Sequence, residues 1–248
     1  MTKNSINFIN SINSINSKNS IKEEKDGFIF LEIPNWENSL TFPFPSTHEI
    51  SGYLYRPFQS LDLVAVYIDP IEKEGPMIST KFRFHNQVDE WSNEEKDRLF
   101  KNQQLEDWIF FHTHPIDVYI RFQTVYAFPS LRDISNFFLH GLEEKTCTKY
   151  QEMIWTVEGI YHLRLFRTTV EQEENNVLRI SKYETLVSEF ANRWKLKETV
   201  DYFKRSETRP CDFCWWIQST FRTLSQKLDL QKDYFGCSFL QKKNLLNK

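Results

Sequence analysis

The 248-residue chain has no strong charge of either sign, no long apolar run and few cysteines, and each shortage closes a class of function. Thirty-one Lys and Arg stand against 34 Asp and Glu, a formal net charge of −3, which leaves no electrostatic footprint for nucleic acid. No hydrophobic stretch approaches the roughly 20 residues that a bilayer-spanning helix needs, and the N-terminus is polar where a signal peptide is apolar. The expectation is a soluble intracellular protein, cytoplasmic or nuclear, with no membrane association. Four cysteines, Cys147, Cys211, Cys214 and Cys237, are too few for a disulfide scaffold and read as free thiols of a reducing compartment. A glycine-rich phosphate loop is missing as well, which argues against a doubly wound nucleotide-binding fold.

What is present is a globular composition. Hydrophobic residues make up 40% of the chain and aromatics 16%, with 22 Phe and 7 Trp, enough for a real core in one extended domain or two small ones. Residues 1–26 stand apart: an Ile-Asn-Ser triplet recurs between Ile9 and Ser17, and isolated Ile among Asn and Ser buries too little area to offset chain entropy. This segment reads as a disordered tail. A short amphipathic docking helix is the alternative, and the Asn content opposes it.

From Gly27 onward, apolar periodicity sets in. Phe28–Ile33 reads as a strand that Pro34 breaks, and Glu49 stands at or near the start of a second that ends at Tyr55. Residues 61–68 are nearly all apolar, as in a strand covered on both faces, and residues 77–84 supply another. Ser92 and Glu95 have capping-box spacing for a helix reaching about Leu105. A further helix opens at Pro129-Ser130, with Ile134, Phe137, Phe138 and Leu142 along one face and Gly141 placed for a C-terminal cap. Residues 153–157 and 160–166 then form a hairpin about Glu158-Gly159. Strands, helix, strand, helix and hairpin in that order predict a mixed α/β layer over residues 27–169.

Residues 170–248 read as a helical extension. One apolar stripe runs through Tyr183, Val187, Phe190 and Trp194, and another through Phe213, Ile217, Phe221, Leu224 and Leu228, with Pro210 suited to a first helical turn. Each stripe needs a surface, either the core or a protein partner. Cys211 and Cys214, at i and i+3, lack a second CxxC and a preceding strand, so structural thiols beneath Trp215 and Trp216 fit better than a metal knuckle or a redox pair.

The centre of the chain is residues 108–133. An apolar run, Trp108 to Phe111, leads into His112-Thr113-His114-Pro115, and strand alternation puts the two imidazoles on one face. Pro115 cannot continue a central ladder, so the pair falls at a strand end. Taken singly, each residue has a plainer reading. Two strand histidines can be hydrogen-bonded structural residues, Ser130 and Asp133 can be a helix cap with an acid complementing the dipole, and Glu49 can be a solvated charge. His48, His85, His140 and His162 have no partner spacing and read as ordinary polar residues.

Together, Glu49-Ile-Ser-Gly52-Tyr-Leu54, His112-Thr-His114-Pro115 and Ser130-Leu-Arg-Asp133 resemble the signature of the JAMM metalloproteases, the catalytically competent MPN domains, over about residues 28–168. The resemblance implies an MPN-like mixed, curved β-sheet flanked by helices. It further implies one zinc ion held by His112, His114 and Asp133 with water in the fourth position, Glu49 as proton acceptor, and Ser130 steadying the oxyanion. The implied activity is that of a deubiquitinase, hydrolysing the isopeptide bond between a ubiquitin-like C-terminus and a lysine. Another ubiquitin-fold or peptide-like amide is the alternative substrate, and a non-catalytic scaffold the alternative class. The sequence departs from the family in spacing: eighteen residues separate His114 from Asp133. The surplus lengthens loop 116–128, whose Tyr119, Phe122, Tyr126 and Phe128 either shape specificity or cover the groove.

Overall fold

A computed structural model describes residues 22–25, 28–36, 43–44, 49–56, 62–67, 109–115, 118–119, 126–143, 149–167, 173–205 and 207–241. The strand expected over 77–84, the helix from Ser92, the Ile-Asn-Ser repeat, and Cys147, His48, His85 and Phe122 lie outside them.

The fold is α/β. Its strands are β1 (Lys22–Lys25), β2 (Phe28–Ile33), β3 (Ser51–Tyr55), β4 (Leu63–Tyr67), β5 (Ile109–Thr113), β6 (Lys149–Trp155), β7 (Gly159–Phe166) and β8 (Tyr234–Gln241). Among the described residues the longer helices are α1 (Leu131–Glu143), α2 (Glu173–Trp194), α3 (Lys197–Lys204) and α4 (Pro210–Lys227). The strands form one sheet in the order β1-β2-β4-β3-β5-β6-β7-β8. The chain divides into two compact units, one comprising Met1–Gln123, Ile154–Ile160 and Gln241–Lys248, the other Thr124–Met153 and Tyr161–Leu240.

In the first unit, β2, β4, β3 and β5 are joined by antiparallel ladders. Every residue of β4 is buried, as its unbroken apolar sequence requires of a central strand. Gly52 makes that packing possible: a Cβ there would collide with the Val66 carbonyl oxygen and lie 3.0 Å from Tyr67 Cα. The glycine of the Glu-x-x-Gly segment therefore has a local cause, the close approach of β4. Phe111 stacks on Phe44 at 4.9 Å, and Trp155 meets Phe44 edge-on at 5.3 Å.

Strand β1 corrects the tail boundary. Lys22–Lys25 pairs antiparallel with β2, Lys25 opposite Phe28, although it falls within the stretch assigned to the disordered tail. Its sequence, Lys-Glu-Glu-Lys, has no apolar period to announce a strand. Charged residues do suit a sheet edge, where they oppose pairing with other chains.

The second unit is held by aromatic side chains. Phe138 of α1 lies 5.5 Å from Phe190 of α2, 5.6 Å from Phe221 of α4 in a stacked pair, and 5.1 Å from Phe235 of β8. Both predicted stripes thus bury much of their length within this unit: Tyr183, Phe190, Phe213, Ile217, Phe221 and Leu224 are all buried. Trp215 is not; it is 70% exposed and covers no thiol. Gly141 is also corrected, because α1 runs on through it to Glu143. Its role is close packing, with a Cβ there falling 3.1 Å from Leu165 and 3.2 Å from Tyr150.

The purely helical reading of 170–248 needs amendment too, since β8 returns to the sheet beside β7. Helix α4 ends in a Schellman turn. Asp229 takes a left-handed φ of 55°, and the Leu230 amide donates to the Ser225 carbonyl at 2.8 Å. Asp233 then accepts from Tyr183 Oη at 2.9 Å and pairs with Arg179, tying the approach to β8 onto α2. No helix among the described residues is long and apolar enough to cross a membrane.

Candidate metal centre

The histidine half of the site is built by strand pairing. In β5, Phe110, Phe111, His112 and Thr113 are all buried, and the strand stops one residue before His114, two before Pro115. The His114 amide donates to the Trp155 carbonyl at 2.8 Å, which fixes the backbone just where the ladder with β3 ends. His112 and His114 are 5% and 8% exposed, with ring centroids 5.2 Å apart. Thr113, between them, alternates to the other side. Its hydroxyl accepts from the Ile50 amide at 2.9 Å, and its own amide donates to the Ile50 carbonyl at 2.8 Å.

The same bonds bring in Glu49. Ser51 is the register partner of His112 and Ile50 is bonded to Thr113, so Glu49 stands one residue beyond the end of that pairing. Directly opposed residues of an antiparallel pair share a face, so Ser51 and His112 belong to one side of the β3–β5 pair. Glu49 is half-buried.

The aspartate half is built by a helix cap. Ser130 precedes α1; its hydroxyl accepts from the Asp133 amide at 3.2 Å, while its own amide donates to Asp133 Oδ2 at 2.6 Å. This reciprocal pair satisfies two backbone donors and fixes the Asp133 rotamer. Immediately upstream, Phe128 packs 5.5 Å from both Phe203 of α3 and Phe213 of α4. The end of loop 116–128 is therefore anchored in the helical cluster.

One ligand atom from each of His112, His114 and Asp133 lies within 4.8 Å of the others. Around a zinc ion with ligands at about 2.1 Å, neighbouring ligand atoms stand about 3.4 Å apart. Two imidazoles with one carboxylate are a donor set that divalent transition metals accept. The group can hold a metal ion.

Other candidates fall elsewhere. His162, on β7, faces Gln151 at 3.2 Å; burial, with the cations of Arg164 and Lys149, lowers its pKa to about 4. His140 lies half-buried on α1. Cys214 is buried against Cys237, Sγ to Sγ 2.9 Å, whereas Cys211 is exposed, so the close pair is not the one that sequence proximity suggests. In loop 116–128, Tyr119 donates to Glu158 and accepts from the Val157 amide at 3.2 Å. Burial, then the Glu158 carboxylate, raises its pKa well above the ordinary tyrosine range. Sequence reasoning placed Glu158 only in a turn; nothing in its spacing reveals that it bonds Tyr119. No family model, curated protein or solved structure matches this chain.

Proposed function

We propose that the protein is a zinc-dependent isopeptidase of the JAMM type, built on an MPN-like curved sheet flanked by helices, that hydrolyses the bond between a ubiquitin-like C-terminus and a lysine side chain. The observation that carries this reading is the grouping of His112, His114 and Asp133 from separate parts of the sequence. A bound zinc ion supplies Lewis acidity toward water and toward a carbonyl oxygen. His112, His114 and Asp133 would hold it.

The chain's own groups do the rest. Glu49 takes a proton from the attacking water and returns it to the departing lysine amine. Ser130 spends a lone pair on the Asp133 amide, which leaves its hydroxyl hydrogen to donate to the oxygen that gains charge as the carbonyl becomes tetrahedral. The burial of both imidazoles limits competing water and strengthens these interactions.

Metal analysis of the purified protein, paired with cleavage of linkage-defined ubiquitin chains, tests the reading. We expect about one zinc ion per chain, turnover abolished by a chelator and restored by zinc, and Glu49→Gln retaining the metal while losing on the order of 10³-fold or more in rate. Turnover that survives both the chelator and Glu49→Gln rejects the mechanism. A fully loaded protein that leaves every ubiquitin chain intact but cleaves another ubiquitin-fold conjugate keeps the chemistry and replaces the substrate, and one inert toward all of them points to a scaffold.

A further inference from the structure

We propose that Cys214 and Cys237 form an oxidisable dithiol that closes to a disulfide, clasping the last helix to the last strand. The two sulfurs are 2.9 Å apart, Cys237 donating to Cys214, and each residue is 5% exposed. Thiolates sharing a tetrahedral zinc ion at about 2.3 Å would stand about 3.7 Å apart, wider than this pair. A disulfide requires about 2.05 Å, so closure is a short inward movement. The backbones are already held for it: the Gln218 side-chain amide donates to the Cys214 carbonyl at 3.1 Å and to the Cys237 carbonyl at 3.0 Å.

Burial, followed by the hydrogen bond to Cys214, raises the Cys237 thiol well above the usual range, so Cys237 rests as the thiol. Oxidation therefore follows local opening of the edge strand β8. With a peroxide as oxidant the step balances. One thiol attacks the O–O bond to give a sulfenic acid and one water; the second thiol displaces hydroxide from that sulfur, taking up its own proton as a second water and leaving the S–S bond. The bond would close a loop from α4 to β8 and reduce the freedom of the unfolded chain.

The test is exposure of the full-length protein to hydrogen peroxide, followed by alkylation under denaturing conditions and peptide mass mapping. The expected product is a peptide pair joined through Cys214 and Cys237, lighter by two hydrogens and released by dithiothreitol. A melting temperature roughly 5–10 °C above that of the reduced protein should accompany it. Cys211→Ser should leave both results unchanged, and Cys237→Ser should remove both. Recovery of Cys214 and Cys237 as separately alkylated or over-oxidised residues, or linkage through Cys211 or Cys147 instead, overturns the proposal. Neither outcome bears on the metal centre, which uses no cysteine.

Discussion

The β2–β4–β3–β5 ladder and the helical cluster around α1 hold their residues by different means. In the ladder, position follows from backbone register. Once Ser51 pairs with His112, the levels of the β3 and β5 residues are set, and the local concession is a glycine at 52 where β4 comes close. In the cluster, position follows from side-chain packing. Asp133 is aimed by its cap with Ser130, and the helix bearing it is seated by Phe137 and Phe138 among rings from α2, α4 and β8. A ladder tolerates side-chain change better than register change, whereas a packed cluster is sensitive to every methylene removed.

The strongest way to break this contrast is Phe138→Ala. Its ring is fully buried, so truncation should cost about 3–5 kcal/mol in unfolding free energy, read by chemical denaturation. If the proposed zinc site is present, its affinity should fall with it as α1 loosens. Phe138→Leu should recover most of the stability. If Phe138→Ala changes stability by less than about 1 kcal/mol, the aromatic cluster is not what seats the helix.

The contrast also explains what could be read in advance. Short apolar runs betrayed β2, β4 and the His112/His114 strand, because strands covered on both faces read as continuous apolar segments that a Pro or a polar turn ends. Ser130 and Asp133 were legible as a cap because capping is local. The pairing of Ser51 with His112 was not legible, since register is a property of two strands and only one carries the pattern. β8 escaped because Tyr-Phe-Gly-Cys-Ser-Phe-Leu-Gln follows a long helical stripe and carries a glycine that weakens a strand, and its place depends on the buried Asp233 and on Phe235. The Cys214–Cys237 contact lay hidden behind the nearer Cys211 for the same reason: sequence separation says nothing of partners made by tertiary packing.

A second, smaller effect sharpens the comparison through pH. Burial holds His162 neutral, its pKa lowered from 6.5 to about 4. Over that interval the unfolded chain binds a proton that the folded chain does not, so stability rises with pH through the window. The contribution is fully present above pH 6.5 and declines as pH falls toward 4, by at most about 3 kcal/mol. His162→Gln should flatten the fall in stability between pH 7 and pH 5, measured on metal-free protein so that metal release from the candidate site does not intrude. An unchanged slope would assign the acid sensitivity to other groups.

The smallest effect on stability is expected at Ser130, where the two halves of the candidate site can be told apart from the cap alone. Ser130→Ala removes a hydroxyl that accepts the Asp133 amide and should cost about 1 kcal/mol, while a glycine at an N-cap costs only a few tenths. Ser130→Gly therefore separates two roles that alanine confounds. It leaves the helix start nearly intact but has no hydroxyl to offer an oxyanion. If the serine is only a cap, Ser130→Gly keeps its zinc and nearly its full rate. If its hydroxyl also steadies the tetrahedral intermediate, the glycine variant keeps its zinc and its stability but loses on the order of 10²–10³-fold in kcat, with KM little changed because the interaction is made only as the carbonyl oxygen becomes charged.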